Sequence, residues 1–269
     1  MRVVSLHSQE VIEPVLRRNV YLHLYALGDL DPVFWQHTTW YGLEEHGSIA
    51  AILLLYSAPQ TPTLLALSDP PYDALHMLIR SACHLLPSCM YAHLSPGCSA
   101  ILAANYHVAS RGVHHKMALL EPAHVARTDT SAVVPLSAAD ADELRAFYAA
   151  SYPHAWFDPR MLEAGFCMGV RVGGELASAG SLHVYSQSQR VAALGGIATH
   201  PAHRGRGLAT AVTARLCAVA RDAAHIGLNV QADNRAAVDC YEKLGFRRVA
   251  AYEECMLTSK TLLGTPGKG

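Results

Sequence analysis

Residues 199–210 read Thr199-His200-Pro201-Ala202-His203-Arg204-Gly205-Arg206-Gly207-Leu208-Ala209-Thr210. An apolar run at 190–198 (RVAALGGIA) precedes them. Apolar residues at 208, 212, 216, 219 and 220 follow at helical spacing. The stretch therefore predicts a strand, a glycine turn and a long helix over Arg206 to Ala224. Gly205 and Gly207 remove side chains where the chain must turn sharply. Unpaired amides and the positive end of the helix dipole together make a cradle for an anion. Arg204 and Arg206 strengthen that field and can donate paired hydrogen bonds to phosphate oxygens. A tight turn with solvated arginines is the competing reading of the same residues.

Two familiar phosphate patterns fail here. A P-loop needs Lys-Ser or Lys-Thr after its glycines, and Leu208-Ala209-Thr210 stands there instead. A dinucleotide fingerprint needs a third glycine, where the chain has Thr210, and it opens the first βα turn of its domain. The anion expected is the pyrophosphate of another cofactor.

Working outward, Val133–Leu136, 167–172, 175–185 and 226–230 predict strands, and Gly173-Gly174 a hairpin turn. Ser137 is placed to cap a helix over Ala138 to Tyr148, and a short helix is expected over Pro159 to Ala164. Asn234 to Leu244 predicts a helix ended by Gly245 in the left-handed C′ position, with Phe246 anchoring the turn before a final strand over 246–257. Asn234 and Tyr241 are seven apart, so a helix turns them to nearly the same side. Asn234 could equally serve as the N-cap, and Tyr241 as a core tyrosine.

Arg204-x-x-Gly207-x-Ala209 and the segment Asn234-x-x-Ala237-x-x-x-Tyr241-x-x-x-Gly245-Phe246 resemble the two signatures of the GNAT superfamily of acyl-CoA-dependent N-acetyltransferases. The resemblance covers residues 132–258. It implies an α/β (α+β) fold with a mixed, twisted sheet flanked by helices, and acetyl-CoA in a splay between the strands 190–198 and 226–231. Ile197, Ala198, Thr199, Arg204, Gly205, Arg206, Gly207, Leu208, Ala209, Asn234, Ala237 and Tyr241 would bind coenzyme A. The backbone amide of Ile197 or Ala198 would hold the thioester carbonyl, and Tyr241 would protonate the departing sulfur. The implied reaction moves an acetyl group to a primary amine by direct transfer through a tetrahedral intermediate. The acceptor is a small molecule or a protein N-terminus, and a homodimer is compatible with this reading.

Family members often place a Glu in or near the strand before the glycine turn, and Val191-Ala192-Ala193-Leu194-Gly195-Gly196 has no acid. His183 and His200 are the alternative bases, because imidazole titrates near neutrality. His154 and Tyr185 are candidates for the acceptor pocket. A non-catalytic acyl-CoA sensor is the alternative function, and the missing acid favours it. Retention of Tyr241, which no anion cradle requires, favours the enzyme.

The chain has 269 residues, which suggests two domains. Residues 1–126 carry 6 basic and 9 acidic side chains, and 127–269 carry 15 and 13. A polar stretch at 121–131 divides them, so domains are expected at 1–126 and 132–260. In the first half, helices are expected over Val11 to Asn19, Tyr21 to Leu30, Ala74 to Leu86 and Ala100 to Asn105, with strands at 49–56, 63–67, 90–94 and 113–120. This order mirrors the second half without its motifs. Residues 24–31 (LYALGDLD) resemble the N-terminal region of two-domain acetyltransferases of the superfamily, so the first half is expected to be a degenerate GNAT-like copy.

A formal charge of −1 argues against a nucleic-acid-binding protein, and Arg204, Arg206, Arg247 and Arg248 lack an aromatic stacking platform. No run of 18 apolar residues suggests a membrane span, and Met1-Arg2-Val3-Val4-Ser5 lacks the long apolar run expected of a signal peptide. Seven cysteines without a CxxC pair suggest reduced thiols and a cytoplasmic protein. The 16 histidines are scattered, and no metal site is expected.

Overall fold

The computed structural model describes residues 1–58, 60–153, 157 and 159–261. They divide into two compact units, each made of more than one chain segment. The first contains Met1–Lys116, Gln231–Asp233 and residues 250–261, and the second Met117–Val230 and Asn234–Val249. Contiguous domains at 1–126 and 132–260 were the sequence expectation. The break falls instead inside a strand at Lys116/Met117, and the last strand divides between the units at Val249/Ala250. No helix among the described residues is long and apolar enough to cross a membrane.

The first unit begins with β1 (Arg2–Leu6), α1 (Gln9–Leu16), α2 (Leu24–Gly28), α3 (Pro32–Trp35), β2 (Thr38–Glu45) and β3 (Ser48–Tyr56). It continues through β4 (Thr63–Ala66), α4 (Asp73–Ala82), β5 (Cys89–Leu94), α5 (Cys98–Leu102) and into β6 (Tyr106–Leu119). β1, β2, β3 and β4 pair antiparallel in succession, and β4 pairs parallel with β5. The middle of β3, Ala51–Leu55, is buried throughout, as expected for a strand covered on both faces. His46 and Gly47 both take positive φ in the β2–β3 hairpin, which matches the twist of the flanking strands. Sequence periodicity missed β1, β2 and α3. β2 (TTWYGLEE) mixes polar and aromatic residues without alternation, and α3 is one turn long.

The second unit contains α6 (Ala123–Ala126), β7 (Val133–Pro135), α7 (Ala141–Ser151), α8 (Arg160–Glu163), β8 (Cys167–Val172) and β9 (Glu175–Ser186). β10 (Val191–Thr199), α9 (Leu208–Val219), β11 (His225–Gln231), α10 (Arg235–Lys243) and β12 (Phe246–Ser259) complete the chain. β7, β8, β9 and β10 pair antiparallel in succession, and β10 pairs parallel with β11. In the first unit the outer part of β12 pairs antiparallel with β5, from Glu253↔Leu94 to Thr258↔Cys89. Leu182, Leu194, Val212, Leu216, Leu228 and Phe246 form the centre of the second unit's core.

The stretch 121–131 is not a free linker. Gly245 O accepts the amides of Leu120 and Glu121, and Arg247 pairs with Glu121 at 2.7 Å. A Cβ on Gly245 would come within 2.9 Å of Glu121 Cβ, and its φ is +94°. Gly245 thus serves both the end of α10 and this close approach.

α7 continues from a 3-10 turn, Ala138–Asp140, which is fixed by its own cap and by β8. Ser137 and Asp140 form a reciprocal capping box. Arg171 on β8 donates to Asp140 at 2.6 Å and to Glu143 at 2.7 Å, and Glu143 also accepts the Leu176 amide. These bonds hold the carboxyls of Asp140 and Glu143 below their usual range: at Asp140 the leading cause is the Ser137 amide, at Glu143 the Arg171 hydrogen bond. Leu144, Phe147 and Tyr148 are buried beneath the helix.

Candidate active site

β10 and β11 pair only from Val191↔His225 to Leu194↔Leu228, and beyond that point their pairing ends. At the same place β10 bulges against β9. Register runs Gly195↔Ser181 and resumes at Ala198↔Ala179, skipping Gly196 and Ile197. A bulge bends the strand and re-aims its peptide groups. Gly196 takes φ +63°, a conformation that only glycine adopts without strain here.

Carbonyls that leave a ladder need other donors. Three hydroxyls bond carbonyls along β10, of which Gly196 O belongs to a residue without a register partner on β9. Ser181 Oγ reaches Gly195 O at 3.4 Å, Tyr148 Oη donates to Gly196 O at 2.8 Å, and Ser178 Oγ donates to Ala198 O at 2.8 Å. Tyr148 is 6% exposed, and burial raises its pKa above the ordinary tyrosine value. The His183 ring lies against Gly195, and desolvation lowers its pKa to about 4. It is neutral at pH 7.

The glycine turn follows. His200 Nδ1 accepts the Ala202 amide, and Pro201–His203 make one 3-10 turn. Gly205 and Gly207 take φ +75° and +77°, and no protein atom lies within 4 Å of a Cβ built on either. The turn is thus open on the side where side chains are missing. α9 starts at Leu208, with Gly207 as its N-cap, rather than at Arg206 as expected. The left-handed residue at 207 breaks helical geometry and moves the start by two positions. The helix also ends at Val219, short of the expected Ala224. Arg206 leans on His203 Nδ1 at 3.0 Å, and Arg204 Nε reaches Thr199 O at 3.4 Å. Both arginines are exposed.

On the second motif, Asn234 caps α10, its side chain accepting the Ala237 amide at 3.2 Å. Ala237 faces the core in part, and Tyr241 is 6% exposed with its ring edge-on to Phe246. Burial raises the Tyr241 pKa, with smaller contributions from Cys240 and Tyr152. Tyr152 also raises that of Tyr148, so one phenol acts on both. Cys240 lies 3.2 Å from Thr210 Oγ1 in α9, which ties the two motif helices together. Tyr185 packs edge-on to Phe166. His154 lies outside the described residues. Sequence reasoning missed Tyr148, Ser178 and Ser181. Two serines in the otherwise apolar run 176–182 (LASAGSL) were the available signal for Ser178 and Ser181.

The acetyltransferase (GNAT) family model matches residues 136–246. No curated protein matches the sequence. Solved structures do. A GNAT-family structure from Novosphingobium aromaticivorans is 23% identical, with a TM-score of 0.55 over 77% of this chain and 88% of that one. A Drosophila protein is 14% identical, with a TM-score of 0.69 over 95% and 98%. A tandem GNAT protein from the clavulanic acid biosynthesis pathway is 16% identical, with a TM-score of 0.53 over 95% and 97%. Residues 136–246 thus carry the GNAT acetyltransferase pattern, and the chain has the mixed α/β GNAT fold.

Proposed function

We propose that this protein transfers the acetyl group of acetyl-CoA to an amine. The observation that carries the reading is the end of β10–β11 pairing at Leu194/Leu228, followed along the chain by the bulge in β10, the open turn Arg204–Gly207 and the start of α9. The opening suits an acyl chain, and the exposed turn suits the coenzyme's pyrophosphate. The amides from Gly205 to Ala209 would hold that pyrophosphate, with Arg204 and Arg206 adding charge. Thr199 and Asn234 flank the site, and Asn234 acts by capping α10. Bound coenzyme supplies the activated acyl group.

The chain's residues then have three tasks. The Ile197 or Ala198 amide, at the bulge, stabilises the oxyanion that develops at the thioester carbonyl. Tyr241 remains protonated at neutral pH and donates to the sulfur as the C–S bond breaks, after the C–N bond has formed. The amine's proton must leave. His183, with a pKa near 4, is a weak base for an ammonium group. The acceptor therefore enters as the free amine, the proton its nitrogen loses once the C–N bond has formed replaces the one that Tyr241 gives to the sulfur, and the rate rises with pH up to the acceptor's own pKa.

The first unit reads as a copy that binds no coenzyme. It too has antiparallel strands leading to a parallel pair, β4 and β5. There the exit is stitched shut. Ser95 N donates to Ala66 O at 2.9 Å, Ser68 N donates to Ser95 Oγ at 2.9 Å, and Ser95 Oγ reaches Ser68 O at 3.2 Å. The next helix, α4, opens with the anion Asp73, which repels phosphate.

Titration calorimetry with coenzyme A and a thiol-release assay across a panel of amines test this reading. Binding with release supports the enzyme. Binding without release for every amine supports a non-catalytic sensor, which the absence of an acid in β10 favours. Absence of binding removes both.

A further inference from the structure

We propose that Tyr148 is a positioning residue that sets the direction of the Ile197 amide, by holding the peptide group between Gly196 and Ile197. The inference rests on the acetyl-transfer reading above. A trans peptide is planar, and its C=O and N–H point in opposite directions. Whatever fixes Gly196 O therefore fixes the Ile197 N–H, pointing it away from the partner of that oxygen. The partner is Tyr148 Oη, at 2.8 Å.

Four further observations support the lock. The peptide lies in the bulge, where Gly196 and Ile197 have no register partner on β9 to set its plane. Gly196 takes φ +63°, and a Cβ there would stand 2.8 Å from Tyr148 Oη, so glycine both permits the turn and leaves room for the hydroxyl. The tyrosine is itself fixed. Its ring packs edge-on to Phe147, and its helix is anchored through Asp140 and Glu143 to Arg171. A raised pKa keeps the phenol protonated and donating at neutral pH. A hydrogen bond from a packed ring on an anchored helix is a rigid reference for a peptide that the ladder no longer holds.

The test is Tyr148→Phe, which keeps the ring and removes the donor. Three readouts apply. The carbonyl carbon resonance of Gly196 reports the lock without any coenzyme, and it should move upfield in the variant as a hydrogen bond is lost. The infrared stretch of ¹³C-labelled acetyl-CoA bound to the protein should be red-shifted in the parent and return toward its solution value in the variant. The turnover number should fall about tenfold to a hundredfold, the range for a misplaced rather than deleted donor, while the dissociation constant for acetyl-CoA changes less than about twofold. An unchanged Gly196 resonance overturns the lock. A lost lock with an unchanged thioester stretch and turnover overturns its role in positioning. Failure of the parent protein to bind acetyl-CoA overturns the reading of the site, and the catalytic role with it, while the Gly196 resonance still decides the lock.

Discussion

The imidazole of His183 occupies the space that a Cβ on Gly195 would need, with its Cγ 2.6 Å from that position. Gly195 is therefore glycine for room, because no positive φ is required there. Gly195→Ala must swing the ring or shift the bulge. Overpacking of this kind costs about 1–3 kcal/mol. Gly47→Ala is the control: its φ is +78° with nothing within 4 Å, so only backbone strain is added. Urea midpoints should fall for both, but the His183 ring resonances should move only in Gly195→Ala. Unmoved resonances would show that the ring does not lie against Gly195.

Tyr241→Phe should impair chemistry more than coenzyme binding. Only the hydroxyl can donate to the departing sulfur, whereas the ring, edge-on to Phe246, supplies the packing. General acid catalysis is worth about 10²–10⁴-fold, and a single-turnover acyl-transfer rate should fall within that range. The dissociation constant for coenzyme A should stay within a few-fold of the parent. An unchanged rate would leave Tyr241 as a core tyrosine, the role that its 6% exposure also fits.

The second half was legible because its elements carry their own punctuation. Gly173-Gly174 takes φ +63° and +93° at the β8–β9 turn, and Gly245 takes +94° after α10, conformations that glycine marks in any sequence. The glycine turn at 205 and 207 was legible for the same reason. Tyr148 was not, because its function depends on a carbonyl 48 residues away that only the folded bulge exposes. Asn234 was legible in type but not in role: the N-cap and the motif position coincide on one residue. The interleaved units were hidden too. β6 and β12 each run on as one strand through the point where they pass from one unit to the other, so no linker marks the boundary.

Gly207→Val should weaken coenzyme binding more than Arg206→Ala. Nothing in the protein blocks a side chain at 207, since no atom lies within 4 Å. The penalty comes from φ +77°, which a β-branched residue avoids, and from bulk placed where phosphate would approach. Arg206 is exposed and leans on His203, so its loss removes a screened charge worth about 1 kcal/mol or less. Calorimetry with coenzyme A at two salt concentrations separates the two effects. Arg206→Ala should lose its small effect at high salt, and Gly207→Val should keep its large one. Equal binding by folded Gly207→Val and the parent would sink the amide cradle.

Stability should fall steeply in mild acid, because three histidines are held neutral by burial. Desolvation lowers His23 to about 3, and His93 and His183 to about 4. The unfolded chain takes up these protons near pH 6.5, and the folded chain takes them up only near 3–4. Their stabilising contribution is complete above pH 6.5 and is lost as pH falls toward 4. Asp29 opposes them. Burial raises its carboxyl to about 8, with Asp31 adding to the shift, so between pH 4 and 8 the folded state holds a proton that the unfolded state has released. Near pH 5 the unfolded chain thus binds about two more protons from these four groups, a slope of roughly 2–3 kcal/mol per pH unit. Removing the opposing carboxyl should expose the full histidine effect. Asp29→Asn should be more stable than the parent at pH 8, and the advantage should shrink as pH falls to 4. Urea midpoints of both proteins at half-unit intervals from pH 4 to pH 8 measure this. A constant difference across that range would mean that Asp29 titrates alike in both states, and the proposed opposition would then be absent.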